Sequence, residues 1–246
     1  MNAITTDNLA KTFGGVTAVD GLTLSIKPGE IYGLLGPDGA GKTTTVRMLT
    51  TILGATSGSA TVAGFDIARQ AEEIRRRIGY VAQNFNLYPD LTVSENMDFY
   101  AQLFAIPKKE YAATKQELLH FSRLTDFQDR RAGKLSGGMQ KKLAVSCALV
   151  HEPEVLFLDE PTSGVDPLSR LELWDILLNL FERGATLFAT TTYLEEAEHF
   201  TRVAFLDKGK IIAEDEPLVL KKRFGADGKP ATLEQVWLNL AEEGGQ

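Results

Sequence analysis

The most constraining stretch of the chain is GPDGAGKT, residues 36–43. It matches G-x-x-x-x-G-K-[ST] in a specific context: the apolar run IYGLLG (31–36) before it reads as a buried strand stopping at glycine, and a helical pattern follows at about 42–53. Glycines let such a loop curl so that its N–H groups point inward at phosphate, and the dipole of the next helix adds to the attraction. Gly36, Pro37, Asp38, Gly39, Ala40 and Gly41 are therefore candidate nucleotide-binding residues. Lys42 is placed to reach the β- and γ-phosphates, Thr43 to hold Mg²⁺, and Thr44 to set a hydroxyl near the α-phosphate.

The rest of the chain must supply a sheet to carry that loop. Short strands are predicted around 4–9, in VTAVDGLTLSIK (16–27), in SATVAG (59–64), at the end of RRRIGYVAQ (75–83), in VLFLD (155–159) and in ATLFATTT (185–192). Helices are predicted over 167–182 and 193–200, and RVAFLDKGKIIAE (202–214) reads as a hairpin turning at Asp207–Gly209. Strands alternating with helices imply a parallel sheet with helices on its faces. From about 84 to 150 the pattern becomes helical, as in YAATKQELLHFSRL (111–124), so this span reads as an insertion. A chain of 246 residues fits one such α/β domain.

Composition excludes some functions. A net charge of −7 opposes bulk binding to nucleic acid, and the basic runs Arg75–Arg77, Lys141–Lys142 and Lys221–Arg223 read as solvated faces. No stretch approaches the roughly 18 apolar residues of a membrane span, and MNAITTDNLAKTF lacks the pattern of a signal peptide. The expectation is a soluble protein whose membrane contact comes through a partner. The single cysteine, Cys147, allows no intramolecular disulfide, fits a reducing cytosol and reads as a small core residue.

Two further segments carry chemistry. VLFLDEP (155–161) is an apolar strand ending in two carboxylates. Asp159 at its carboxyl end can meet a magnesium ion, and Glu160 can polarise a water aimed at the γ-phosphate. LSGGMQKK (135–142) has a serine and two glycines before a helix; by itself it reads equally as an anion site or a capped helix.

GPDGAGKTT, Gln83, LSGGM, VLFLDEP and SGVD (163–166), in that order, resemble an ABC ATPase, the nucleotide-binding subunit of an ABC transporter. The resemblance covers essentially all 246 residues. It implies a P-loop NTPase, RecA-like core with an antiparallel β-subdomain over 1–83 and 151–215, an α-helical signature subdomain over 84–150 and a helical tail over 216–246. It implies ATP and Mg²⁺ as ligands, with Thr43, Gln83 and Asp159 at the metal, and two cassettes sandwiching two ATP molecules head to tail. Leu135, Ser136, Gly137, Gly138 and Met139 would then face an ATP held by the partner cassette, and Asp166 would cross the dimer interface. Phe13 matches the aromatic that stacks on adenine, and Val19 would line the same pocket. Phe85, Leu87 and Tyr88 either line the groove that takes a permease's coupling helix or serve as ordinary core.

Three positions depart from the family pattern. Asp38 stands where asparagine is usual and is expected to point away from the triphosphate. Met139 replaces glutamine, as is familiar in drug-export-type cassettes. Thr192, in TTTYLEEAE, stands where the family has a switch histidine that bonds the γ-phosphate. His120, His151 and His199 lie too far along the chain to replace it convincingly. A lost hydrogen bond to a charged group is worth about 1.5–3 kcal/mol, so turnover is expected to be weakened, with Glu160 still present. GPDGAGKTT with a TTTY switch resembles the first cassette of tandem bacterial drug-export ATPases, and the tail ATLEQVWLNLAEEG (231–244) resembles that of ABC-2-type exporters. The reading is an exporter ATPase on the inner face of the plasma membrane, working with a transmembrane permease and a second cassette, a heterodimer being favoured over a homodimer, with no nucleic-acid partner. A regulatory cassette with little hydrolysis and a soluble, non-transport ABC ATPase are the alternatives.

Overall fold

The structure, a computed structural model, describes residues 2–84, 86–225 and 229–243. The first two strands, β1 (Ile4–Phe13) and β2 (Val16–Ile26), pair antiparallel, and β4 (Ser57–Val62) and β5 (Phe65–Asp66) complete a sheet of order β2-β1-β4-β5. The second sheet holds six strands in the order β10-β9-β3-β8-β7-β6. Its members are β3 (Ile31–Leu35), β6 (Ile78–Val81), β7 (Val155–Asp159), β8 (Thr186–Thr191), β9 (Arg202–Asp207) and β10 (Lys210–Asp215). All neighbours there are parallel except β10, which returns on β9 through a tight turn with Lys208 and Gly209 at positive φ.

Every residue of β3, β7 and β8 is buried, as expected of central parallel strands covered on both faces. Alternation sends Tyr32, Phe157 and Phe188 into one core beneath the antiparallel sheet and α1 (Lys42–Leu49). The intervening Leu156, Leu158, Leu187 and Ala189 enter a second core. That core is roofed by α3 (Val93–Leu103), α4 (Lys108–Phe121), α5 (Gly137–Leu149) and α6 (Pro167–Glu182), with α8 (Leu233–Glu243) at its far side. The short α2 (Ala71–Arg75) leads into β6, and α7 (Pro217–Arg223) follows β10.

Local chemistry fixes several boundaries. Thr92 and Glu95 cap α3 reciprocally, each side chain bonding the other's backbone N–H. Thr232 and Gln235 do the same ahead of α8. Several sequence expectations need correcting. The helix expected to 53 stops at Leu49, where the chain turns and Thr51 takes φ 61. β1 runs four residues past its expected end, because β2 pairs along it as far as Phe13. The span 193–200 is 3-10 turns over Leu194–His199, not an α-helix, and the 111–124 pattern forms α4 three residues earlier at each end. Lys141 and Lys142 are not a solvated face: they are 1% and 6% exposed, on a helix covered on nearly all sides.

Candidate functional site

The parallel strands end on one edge, and that edge is where α/β sheets place ligands. β3 delivers residues 36–41, β7 delivers Asp159 and Glu160, and β8, paired between them, delivers Thr190 and Thr191. Two glycines of the loop are sterically required. A Cβ at Gly36 would lie 2.2 Å from the Leu206 carbonyl oxygen, and one at Gly41, held at φ 110, would lie 2.3 Å from that of Ala18. Gly41 caps α1 with no side chain in the way, leaving the helix N-terminus open to an anion.

Lys42 is almost fully buried. Its Nζ donates to the carbonyls of Gly36 (2.8 Å) and Pro37 (3.1 Å) and lies 3.2 Å from Glu160 Oε1. Gln83 Nε2 donates to the other oxygen, Glu160 Oε2, at 2.9 Å. The Thr43 hydroxyl donates to Asp159 Oδ1 at 3.1 Å, and the Thr190 hydroxyl donates to the same oxygen at 2.8 Å. Asp159 is 1% exposed, so this carboxylate persists by being hydrogen-bonded. Glu160 takes φ 49, an uncommon backbone conformation for a side-chain-bearing residue. Its N–H is held by Thr190, 3.0 Å from Oγ1 and 3.2 Å from the carbonyl. Strain of this kind persists where the surroundings over-determine it.

Ala18, Asp38, Gly39, Gly41, Lys42, Thr43, Thr44, Gln83 and Glu160 line one pocket. Pro37 is exposed and Ala40 is buried; neither is among the lining residues. Asp38 is exposed and is one of the residues lining the pocket. Val19 needs correcting: from β2 it is fully buried in the core beneath the antiparallel sheet, and its neighbour Ala18 reaches the pocket. Phe13 stands at the end of β1, 47% exposed, with Lys11 Nζ 5.1 Å from its ring centre. The oxygen donors Thr43 and Asp159 suit a hard cation such as Mg²⁺, which prefers one or two protein oxygens beside phosphate and water.

The three threonines of TTTY do different things. Thr190 orders both carboxylate residues, and the Thr191 hydroxyl accepts from Tyr193 N at 3.0 Å. Thr192 is half-buried, is not among the pocket residues, and its hydroxyl makes no hydrogen bond to a described residue. Sequence reasoning singled out Thr192 and missed Thr190, although the register Asp159↔Thr190 follows from two adjacent parallel strands. It missed Lys141 too, whose Nζ donates to the carbonyls of Gln83 (2.9 Å) and Glu160 (3.4 Å).

The residues of LSGGM lie outside the pocket, at the start of α5. Ser136 Oγ accepts from Met139 N (3.3 Å) as the cap, Leu135 and Gly138 are buried, Gly137 is exposed, and Met139 packs on the core. Asp166 caps α6: its Oδ1 accepts from Ser169 N at 3.0 Å, and that bond holds its carboxyl below the usual range. Thr162, between Glu160 and Asp166, donates to the buried Glu196 at 2.5 Å, joining this segment to the turns after Thr192. Leu87 packs on the core, Tyr88 is exposed against Phe99, and Phe85 lies outside the described residues. Among the described residues no helix is long and apolar enough to cross a membrane.

Comparison with known proteins gives this geometry relatives. A family model described as ABC transporter matches residues 19–163. The chain is similar to a probable multidrug ABC transporter ATP-binding protein, YbhF of Escherichia coli, at 39% identity over 236 residues, spanning 96% of this chain but only 41% of that relative's length. It is 42% identical over 226 residues to the daunorubicin resistance ATP-binding protein DrrA2 of Streptomyces coeruleorubidus, spanning 92% of this chain and 70% of the other. Among solved structures it resembles the dimeric, post-hydrolysis ATP-binding cassette MJ0796 bound to ADP and Pi. There the TM-score is 0.79 at 27% identity, over 87% of this chain and 98% of that one.

Proposed function

The chain belongs to the ABC transporter family as one of its ATP-binding cassettes, and we propose that it hydrolyses ATP to drive export by a separate membrane permease. One observation carries the hydrolytic part: Lys42 and Gln83 both meet the Glu160 carboxylate in a pocket lined by a phosphate loop, beside the Thr43–Asp159 pair. The loop N–H groups and Lys42 bind and orient the β- and γ-phosphates. Glu160 accepts a proton from a water as its oxygen bonds to the γ-phosphorus. The bond from that phosphorus to the bridging oxygen breaks, releasing ADP and phosphate. Thr43 and Asp159 would hold Mg²⁺, which supplies charge neutralisation when bound. General-base assistance by Glu160 contributes about 10²–10⁴-fold.

The export reading rests on the relatives, named for multidrug transport and daunorubicin resistance, and on the tail resemblance. The permease reading is supported by an apolar groove lined by Ile52, Tyr80, Tyr100, Leu103 and Phe104, where Ile52 and Leu103 are more than half exposed. The partner sequence in this groove is an apolar permease segment, which would hold the cassette on the cytoplasmic face of the membrane. Ser136, Gly137 and Asp166, exposed and outside the chain's own pocket, serve a second cassette across a head-to-tail dimer, with Gly138 buried behind them. Thr192, with no bond to the pocket, favours a partner cassette with a complete switch, hence a heterodimer.

The test is recovery of the tagged chain from native membranes, beside Leu103→Asp. Recovery with a multi-span permease and a second cassette, lost in Leu103→Asp, supports the reading. Recovery as the only cassette sinks the heterodimer, and recovery with ribosomes in place of a permease sinks the transport reading.

A further inference from the structure

Lys141 is a cation where packing alone wants none. It is 1% exposed, and burial pulls its ammonium below the ordinary lysine range while the Asp159 and Glu160 charges oppose that pull. An apolar side chain could fill the same path without the desolvation cost. Its amine bonds main-chain oxygens on two separate segments, Gln83 O at 2.9 Å and Glu160 O at 3.4 Å. The side chains of these same two residues bond each other, Gln83 Nε2 to Glu160 Oε2 at 2.9 Å. The three residues therefore close a ring, and one member of it stands on α5, the helix that Ser136 caps. Only five residues, about 7.5 Å of helix axis, separate Lys141 from Ser136.

We propose that Lys141 is a positioning residue that locks Gln83 and the backbone of Glu160 to the signature helix, so that a shift of α5 is passed to the catalytic carboxylate. The proposal rests on the hydrolytic reading above. Lys141 is not one of the residues lining the pocket; it acts by fixing the strained Glu160 backbone from its carbonyl side, beside the Ser163 N–H (3.2 Å), as Thr190 does from its N–H side. The adjacent Lys142 is the natural control: it is equally buried on the same helix but pairs with Glu172 of α6, away from the carboxylates.

The experiment uses the full chain as wild type, Lys141→Met, Lys141→Arg, Lys142→Met and Glu160→Gln. It measures kcat and KM for ATP together with amide hydrogen exchange of peptides spanning Gln83 and Glu160. Lys141→Met should lower kcat about tenfold or more, the size of a lost hydrogen bond from a charged group, with KM for ATP little changed. Lys141→Arg, which keeps charge and donors, should recover most of it. Exchange should quicken at both peptides in Lys141→Met and not in Lys142→Met, whose loss should be in thermal stability. Wild-type kcat in Lys141→Met, or unchanged exchange at both peptides, overturns the proposal. A wild type no faster than Glu160→Gln sinks the hydrolytic reading instead, and the exchange result then decides the role of Lys141 by itself.

Discussion

Glu160, with its backbone at φ 49, is held on every side: its N–H on Thr190, its carbonyl on Lys141 and the Ser163 N–H, and its two carboxylate oxygens on Lys42 and Gln83. Removing the Thr190 hydroxyl leaves the Glu160 N–H only the Thr190 carbonyl and also takes a donor from Asp159. Thr190→Val should therefore lower kcat by about tenfold while Thr190→Ser retains most activity; equal rates for the two would show that the hydroxyl has no part. Thr192 is a different case, half-buried and with its hydroxyl making no hydrogen bond to a described residue. If its weakness as a switch limits turnover, Thr192→His should raise kcat by about 10- to 150-fold in steady-state assays, whereas an unchanged rate would place the limit elsewhere. The sequence made the phosphate loop, Asp159 and Glu160 legible because each sits at a strand end with a recognisable local pattern. Thr190 and Lys141 were not legible, because their partners are 31 and 58 residues away or are carbonyls that every residue carries.

At the scale of elements, β8 is the strand on which the site depends. It lies between β3 and β7, and its Phe188 is fully buried between Tyr32 (ring centres 5.6 Å apart) and Phe157 (5.5 Å). Phe188→Ala should cost about 3–5 kcal/mol, read as a lowered midpoint in urea unfolding with an unchanged slope. A loss under about 1 kcal/mol would mean that the neighbouring rings close the cavity. Central strands were readable as apolar runs stopping at glycine or carboxylate, and the hairpin of β9 and β10 as a turn between such runs. Two inferences about which neighbours enclose a side chain failed. Lys141–Lys142 looked like a solvated pair until α5 was seen to be enclosed by α3, α6 and β6. Val19 looked like a pocket residue until the antiparallel sheet turned it inward.

At the scale of the whole molecule, two sheets and a helical layer are joined around one edge that holds the phosphate loop, Asp159 and Glu160, and titration elsewhere bears on stability. His151 and His199 are both held below the usual imidazole range by burial. His151 donates from Nε2 to the Ile78 carbonyl at 2.9 Å and stacks on Phe104, leaving Nδ1 buried without a hydrogen-bond partner among the described residues. The unfolded chain therefore takes up these protons first: stability is full above about pH 6.5 and falls as the pH drops through that value toward the lower folded values. The thermal midpoint should drop between about pH 7 and about pH 5.5, with a shallower acid limb in His151→Gln; an unchanged midpoint across that interval would contradict this reading of the buried imidazoles. The central claim is that the pocket around Glu160 turns over ATP. Its most direct test is steady-state phosphate release from ATP and Mg²⁺ by the purified chain, beside Glu160→Gln, with ATP binding measured on both. The account predicts equal binding and a rate about 10²-fold or more higher in the wild type. Equal rates with intact binding would contradict it and leave a cassette that holds ATP without hydrolysing it.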